Sequence, residues 1–209
     1  MHLDKAATPY LAATLLPAAF LAGLRRPGWA LPLAAAGGFF AYFFRDPDRQ
    51  PPGDAEAILA PADGKVMAAG PPIPGVAPPG EWLQVSIFLS PLDVHVNRSP
   101  VSGRVTRVEY RPGAFYPAYD GRASTENERS EIWIEADNGT FVCRQVAGVM
   151  ARRIVCRVSE GSELTAGARF GLIKFGSRTD LFMPPGATIL VAPGDRVRGG
   201  ETIVGRLAR

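Results

Sequence analysis

The sequence predicts a mainly β domain carried behind an N-terminal apolar helical hairpin. Two uncharged runs, Ala6 to Leu24 and Pro27 to Phe44, stand at the start of the 209-residue chain. Short alternating segments bounded by Gly and Pro follow from Ala57 onward. No long amphipathic period appears after residue 50.

The two runs hold 19 and 18 residues. At a helical rise of about 1.5 Å per residue each reaches about 27–28 Å, close to the ~30 Å hydrocarbon thickness of a bilayer. Pro17 and Pro32 lie inside them and are expected to kink them. A signal peptide fits poorly, because the second apolar run follows almost at once with no small-residue cleavage site. Arg25-Arg26 separates the runs, and Arg45-Asp46-Pro47-Asp48-Arg49 follows them. With both runs spanning, basic residues fall on both sides of the membrane, against the positive-inside rule. A shallow hairpin dipping into one leaflet keeps both basic sites on one face. The expectation is membrane association from the inner, cytoplasmic side, either peripheral or anchored by the hairpin.

Gln50-Pro51-Pro52-Gly53-Asp54 reads as a turn-rich linker. It sets the division: residues 1–50 form the hairpin and 51–209 the β-rich domain. Trp82 to Leu89 places Leu83, Val85, Ile87 and Leu89 on one face, and Ile132, Ile134 and Ala136 repeat the alternation. Phe141 to Val146, Val101 to Tyr110 and Arg153 to Val158 are further predicted strands. Arg111 to Arg129, polar with Phe115, Tyr116 and Tyr119, is long enough for a functional loop.

Near the C-terminus, Gly194-Asp195-Arg196-Val197-Arg198-Gly199-Gly200-Glu201 resembles the hairpin of biotinyl/lipoyl-type barrel-sandwich domains. Ala60-Pro61-Ala62-Asp63-Gly64-Lys65-Val66 and Ser99 to Val105 are similar to the entry strands of such folds. That resemblance implies a compact barrel-sandwich hybrid.

Charge and composition exclude several functions. The net charge is +3, from 20 Arg and three Lys against 20 acidic residues, with no basic stripe interleaved with aromatics, so no nucleic-acid partner is expected. Cys143 and Cys156 stand in no zinc or CxxC spacing and read as thiols of a reducing compartment. With only His2 and His95, a zinc site built on two or three histidines is untenable, and no metal is expected.

The chemistry is expected at Lys174-Phe175-Gly176-Ser177-Arg178-Thr179-Asp180. A serine hydroxyl beside an accessible carbonyl attacks it once a base takes its proton. His95 is the candidate base, with Asp63 or Asp93 as the carboxylate to orient it; Asp93 is expected on the same strand face as His95. Asp63, His95 and Ser177 together make an acid–base–nucleophile relay, although spacing alone does not bring them together. The serine is followed by Arg178-Thr179-Asp180, so the hydrolase elbow G-x-S-x-G is absent.

From about Phe43 to the C-terminus the chain resembles the phosphatidylserine decarboxylase proenzyme family in its short bacterial and archaeal form. The resemblance is carried by six ordered landmarks. These are Phe43-Phe44-Arg45-Asp46-Pro47, Ala60 to Gly64, Asp93-Val94-His95-Val96-Asn97-Arg98, Glu126-Asn127-Glu128-Arg129, Gln145 to Gly148 with Ala151 to Ile154, and Phe175-Gly176-Ser177. Longer members read Leu-Gly-Ser-Thr at the last, where this chain has Phe175-Gly176-Ser177-Arg178. They also carry a second histidine at the position of Leu92, so any role of that histidine does not transfer.

The resemblance implies self-cleavage between Gly176 and Ser177, with His95 as base and Asp63 behind it. The products would be a β chain, 1–176, and an α chain, 177–209, which begins with a pyruvoyl group made from Ser177. No pyridoxal phosphate is needed. The pyruvoyl ketone would form a Schiff base with phosphatidylserine and release carbon dioxide and phosphatidylethanolamine, with His95 a candidate proton donor. The implied partners are phosphatidylserine, the membrane surface and the two chains of one precursor; a homo-oligomer stays open. Two other readings compete: a non-catalytic membrane-anchored barrel-sandwich adaptor or carrier, and a pyruvoyl decarboxylase of a soluble amino acid. A carrier needs a modified lysine at a hairpin tip, and neither Lys65 nor Lys174 stands in such a setting.

Overall fold

The computed structural model describes residues 2–149, 153–174 and 176–207. The chain divides into two units, residues 1–48 and 49–209. The first unit runs β1 (His2–Leu3), α1 (Thr8–Gly23), α2 (Pro27–Phe43) and β2 (Arg45–Asp46), with β1 and β2 paired antiparallel. Asp4 opens a short 3₁₀ turn ahead of α1 by accepting from Ala6 N at 2.8 Å. Both helices run continuously through their internal prolines. They pack closely where α2 has no side chain: a Cβ on Gly37 would fall 2.3 Å from Leu15 Cδ2. Tyr10 stacks on Phe40 and Phe44 with centroids 5.1 and 5.2 Å apart.

The hairpin's outer surface is apolar all round, with Leu16, Phe20, Trp29 and Leu31 each about 70% exposed. A helix that exposes such side chains is not stabilised in water by them. The 19-residue stretch Lys5–Gly23 is long and apolar enough to cross a bilayer, and α2, at 17 residues, stands at the short end of the spanning range.

The second unit is β throughout, apart from one short helical turn, α3 (Ala123–Glu126). Its strands in the first half are β3 (Ala57–Leu59), β4 (Gly64–Gly70), β5 (Leu83–Leu89), β6 (Val96–Arg98), β7 (Gly103–Arg111), β8 (Arg129–Ala136) and β9 (Gly139–Val146). There follow β10 (Ile154–Cys156), β11 (Glu163–Leu164), β12 (Arg169–Ile173), β13 (Ser177–Met183), β14 (Thr188–Ile189), β15 (Arg196–Val197) and β16 (Ile203–Arg206). An eight-stranded antiparallel sheet has the order β11-β7-β8-β9-β13-β5-β4-β15. Two three-stranded sheets, β10-β12-β6 and β14-β16-β3, complete the unit. The architecture is mainly β behind an apolar helical region, as expected from the sequence, and the large sheet curls into a half-barrel.

Period-two alternation decides what each face of the large sheet meets. One face carries Ile132, Ile134, Phe141, Cys143, Leu181 and Ile87, all essentially without solvent exposure, against Phe170, Ile58 and Val204 of the smaller sheets. Each such side chain contributes roughly 1.5–3 kcal/mol by leaving water. The opposite face carries Arg144, Glu131, Arg178, Asp180, Ser86 and Gln84, and is roofed in part by Val76 against Val142 and Phe182. β13 lies between β9 and β5, so every residue from Ser177 to Met183 is buried.

Candidate active site

His95 is not on a strand. It lies in the loop that enters β6, and Asp93 sits in the turn before it, so the expected shared strand face does not form. The turn is closed by Asp93 itself, whose carboxylate accepts from Ser90 N at 2.8 Å and Ser90 Oγ at 2.7 Å. That carboxylate also meets Arg196 Nη1 at 3.2 Å. The backbone of Asp93 faces the imidazole: His95 Nδ1 lies 2.9 Å from the Asp93 carbonyl oxygen. A carbonyl only accepts, so Nδ1 carries the proton and Nε2 presents its lone pair. Nε2 accepts from the Gly176 amide at 3.3 Å. The His95 carbonyl takes the Ile173 amide at 3.2 Å, which ties the loop to β12.

His95 and Gly176, 81 residues apart in sequence, are therefore in contact, and Ser177 is the next residue in the chain. Gly176 has φ +63°, a left-handed conformation that glycine adopts without a Cβ penalty. Ser177 is the first residue of β13 and has no solvent exposure. Its Oγ is buried and, among the described residues, has no hydrogen-bond partner. An unpaired buried hydroxyl costs about 1–3 kcal/mol, so its presence here asks for a purpose. On the neighbouring segment, a Cβ on Gly148 would fall 2.2 Å from the Gly176 carbonyl oxygen. Gly148 thus leaves room for that carbonyl.

Polar bonds hold this corner in place. Asn97 Nδ2 donates to Thr179 Oγ1 at 3.0 Å, and Gln145 Nε2 donates to Asn97 Oδ1 at 2.8 Å, linking β6, β9 and β13. Asn127 donates to Ala147 O at 2.7 Å and pairs with both the amide and carbonyl of Tyr116 at 2.8 Å. The loop 112–128 is pinned in this way beside Gly148.

Asp63 is placed elsewhere in the corner. Its carboxylate accepts from Arg49 Nη2 at 2.7 Å and from Gly199 N at 2.8 Å, and Arg49 Nη1 reaches Glu201 at 2.7 Å. The hydrogen bonds described for Asp63 thus run to Arg49 and Gly199, while those of the His95 ring run to Asp93 O and Gly176 N. Burial pushes the Asp63 carboxyl above its usual range, Arg49 and the Gly199 amide pull it back, and the charge of Asp93 adds to the rise. Glu201 is held below its ordinary value by its hydrogen bond to Arg49. Cys143 is fully buried and its thiol is pushed up by burial alone, so it packs as an apolar group. Cys156 is free as well.

Among the described residues no cluster of three or more His, Cys, Asp or Glu is arranged to hold a metal ion. Lys65 lies within β4 and Lys174 is buried, so neither is the exposed hairpin-tip lysine of a carrier. The landmark residues Ala151, Arg152 and Phe175 lie outside the described residues. Gly148, Asn97, Gln145 and Asn127 are the site residues whose roles sequence reasoning did not assign. All fall within the quoted landmarks, but nothing in a linear sequence says which carbonyl a glycine makes room for.

The site is thus a mainly β domain with a histidine set on the amide of Gly176, next in the chain to a buried serine. Comparison with known proteins gives the family. The family model for phosphatidylserine decarboxylase matches residues 36–205. The phosphatidylserine decarboxylase proenzyme of Pelodictyon phaeoclathratiforme is 49% identical over 190 residues, covering 88% of this chain and 89% of that protein. Those of Granulibacter bethesdensis and Gluconacetobacter diazotrophicus are 46% and 47% identical; each alignment covers 97% of this chain, and 84% and 93% of the respective relative. The chain belongs to the phosphatidylserine decarboxylase family.

Proposed function

We propose that this chain is a proenzyme that cuts itself between Gly176 and Ser177 and then decarboxylates phosphatidylserine to phosphatidylethanolamine with a pyruvoyl group derived from Ser177. The carrying observation is the lone pair of His95 Nε2 set on the Gly176 amide, next in the chain to a buried Ser177 hydroxyl that has no partner among the described residues. The relatives' printed name, proenzyme, supports the same reading.

His95 Nε2 takes the hydroxyl proton, and Ser177 Oγ forms a bond to the Gly176 carbonyl carbon. The C–N bond to Ser177 breaks, and the proton passes to the departing nitrogen, leaving an ester. Loss of the Ser177 α-proton then breaks the Cβ–Oγ bond. Gly176 leaves as a carboxylate and position 177 becomes dehydroalanine, whose imine form water hydrolyses to a ketone and ammonia. The residues present fit the group: the Ser177 Oγ, without a partner among the described residues, is placed as the attacking atom, Gly148 leaves space for the scissile oxygen, and β13 holds the new chain start between two strands. The pyruvoyl ketone supplies the electron sink into which the carboxylate's electrons move as carbon dioxide departs.

Asp63 is a positioning residue. Held by Arg49 and the Gly199 amide, its carboxylate acts on the imidazole only indirectly, through the turn of Asp93, whose carbonyl accepts from His95 Nδ1. The hairpin holds the protein to the inner face of the cell membrane through its exposed apolar side chains. Extraction tests the attachment: detergent, and not high salt, should release the protein.

Intact-mass spectrometry tests the chemistry. Two fragments, 1–176 and 177–209, the smaller lighter by one ammonia than its plain peptide, are expected, together with carbon dioxide release from phosphatidylserine vesicles. A folded, uncut and unmodified chain overturns the proposal.

A further inference from the structure

The face of the large sheet away from Ser177 holds a cavity of about 210 Å³ that the proposed chemistry does not use. A bulge between Val105 and Arg107 brings Arg107, Glu109 and Arg111 of β7 opposite Trp133, Glu131 and Arg129 of β8. Arg144 joins them from β9, opposite Glu131. α3 contributes Ser124 and Thr125 to the wall.

Four guanidiniums and two carboxylates line this cavity, a formal excess of two positive charges. Each carboxylate is shared. Glu109 pairs with both Arg107 and Arg111, and Glu131 lies 2.8 Å from Arg144 Nε and 3.8 Å from Arg129 Nε. The second of those distances is too long for a hydrogen bond, and Arg129 Nε has no other partner among the described residues. Among the described residues Trp133 Nε1 and Ser124 Oγ are also buried without partners, and Ser124 is 1% exposed. Indole and guanidinium nitrogens only donate, so the vacant positions ask for an acceptor. Burial, together with the charges of Arg144 and Arg111, depresses the Arg129 pKa; a local negative charge would relieve that. A single water, whose share of liquid volume is about 30 Å³, neither fills the space nor balances the charge.

We propose that this cavity is a second binding site, separate from the Gly176–Ser177 junction, for a phosphate-class oxyanion. Several oxygens on one small anion would accept from Arg129 Nε, Trp133 Nε1 and Ser124 Oγ while neutralising the guanidinium excess. The same chemistry is offered by free phosphate and by the headgroup of an anionic phospholipid.

The chain has three tryptophans, Trp29, Trp82 and Trp133, so the indole N–H resonances of the full-length protein in detergent give a local readout. The Trp133 signal is assigned through Trp133→Phe. Titration with inorganic phosphate, at constant ionic strength against chloride, should shift the Trp133 resonance saturably and leave Trp29 unmoved. Arg107→Gln combined with Arg111→Gln, both at half-exposed positions, should weaken binding at least about tenfold without unfolding the sheet. A short-chain phosphatidylglycerol kept below its micelle concentration forms the second arm. Tighter binding than inorganic phosphate assigns the site to a lipid headgroup, and equal or weaker binding assigns it to free phosphate. The proposal is overturned if neither probe shifts Trp133 by about 100 mM, well above the millimolar range of weak specific binding. It is equally overturned if chloride reproduces the shift, or if the double arginine variant binds as the parent does.

Discussion

Arg49 reaches Asp63 and Glu201 at 2.7 Å each, and Asp63 takes a further hydrogen bond from Gly199 N, so only Nε of that guanidinium goes without a partner. At the Gly176–Ser177 junction the arrangement is sparser. One imidazole nitrogen is spent on a backbone carbonyl, the other faces an amide at 3.3 Å, and the serine hydroxyl has no partner among the described residues. Both clusters lie in the β domain, and both contain a residue placed in the proposed relay. The difference teaches how to tell a polar cluster that holds a fold from one that performs a reaction. The first pairs its charges with one another; the second keeps, among the described residues, a buried hydroxyl without a partner, next in the chain to the amide that His95 Nε2 accepts.

Substitutions should separate the two clusters, and the largest effect is expected at the junction. Ser177→Ala should leave one full-length chain on a denaturing gel and reduce decarboxylation to assay background; a cut, active variant would sink the comparison. His95→Ala removes the base and should slow cleavage by about 10²–10⁴-fold, followed as the appearance of the 177–209 fragment over time. Gly148→Ala puts a methyl where the Gly176 oxygen sits, 2.2 Å away. It should slow cleavage and cost roughly 1–3 kcal/mol in denaturant unfolding, because the backbone must shift.

Changes in the paired cluster should register mainly as stability. Asp63→Asn keeps the shape but withdraws the charge facing Arg49, with an expected loss of about 1–3 kcal/mol. If Asp63 also positions the imidazole, cleavage of the Asn variant slows while Glu201→Gln cuts at the parental rate. A parental rate in both variants would confine Asp63 to the structural cluster. The smallest effect is with pH. Glu201 has a folded pKa below its ordinary 4.5, so its stabilisation is complete above that value and is lost as pH falls through the depressed one. Glu201→Gln should flatten that part of the acid unfolding curve.

Much of this was legible in the sequence. Alternation at Leu83 to Leu89, at Ile132 to Ala136 and at Phe141 to Val146 marked three strands of the large sheet, because one buried face imposes a period of two. The apolar hairpin was legible for a similar reason: nothing charged interrupts either helix. His95, Gly176 and Ser177 were legible as chemical types, and the structure sets His95 Nε2 on the amide of Gly176, the residue before Ser177. The partner of His95 Nδ1 was not. It is a main-chain oxygen of Asp93, which every residue carries, so a search for carboxylates points to side chains instead. The role of Gly148 was hidden because it depends on a carbonyl 28 positions away that approaches only in the folded sheet. The arginine cavity was hidden by the bulge at β7, which changes which residues face Trp133.

Ser177 opens a strand hydrogen-bonded on both sides, to β5 and to β9, and the 33 residues from there to the end also supply β14, β15 and β16. A cut in front of Ser177 therefore resembles a nick in a splinted rod: one covalent link is gone, but the splints on either flank still fix the new end. The reactive group would be a fixture of the scaffold, with no exchange against a free pool. Each molecule would make it once, and a molecule that lost it could not be recharged. The working lifetime of the catalyst would then be that of the protein itself, and activity could be restored only by new synthesis.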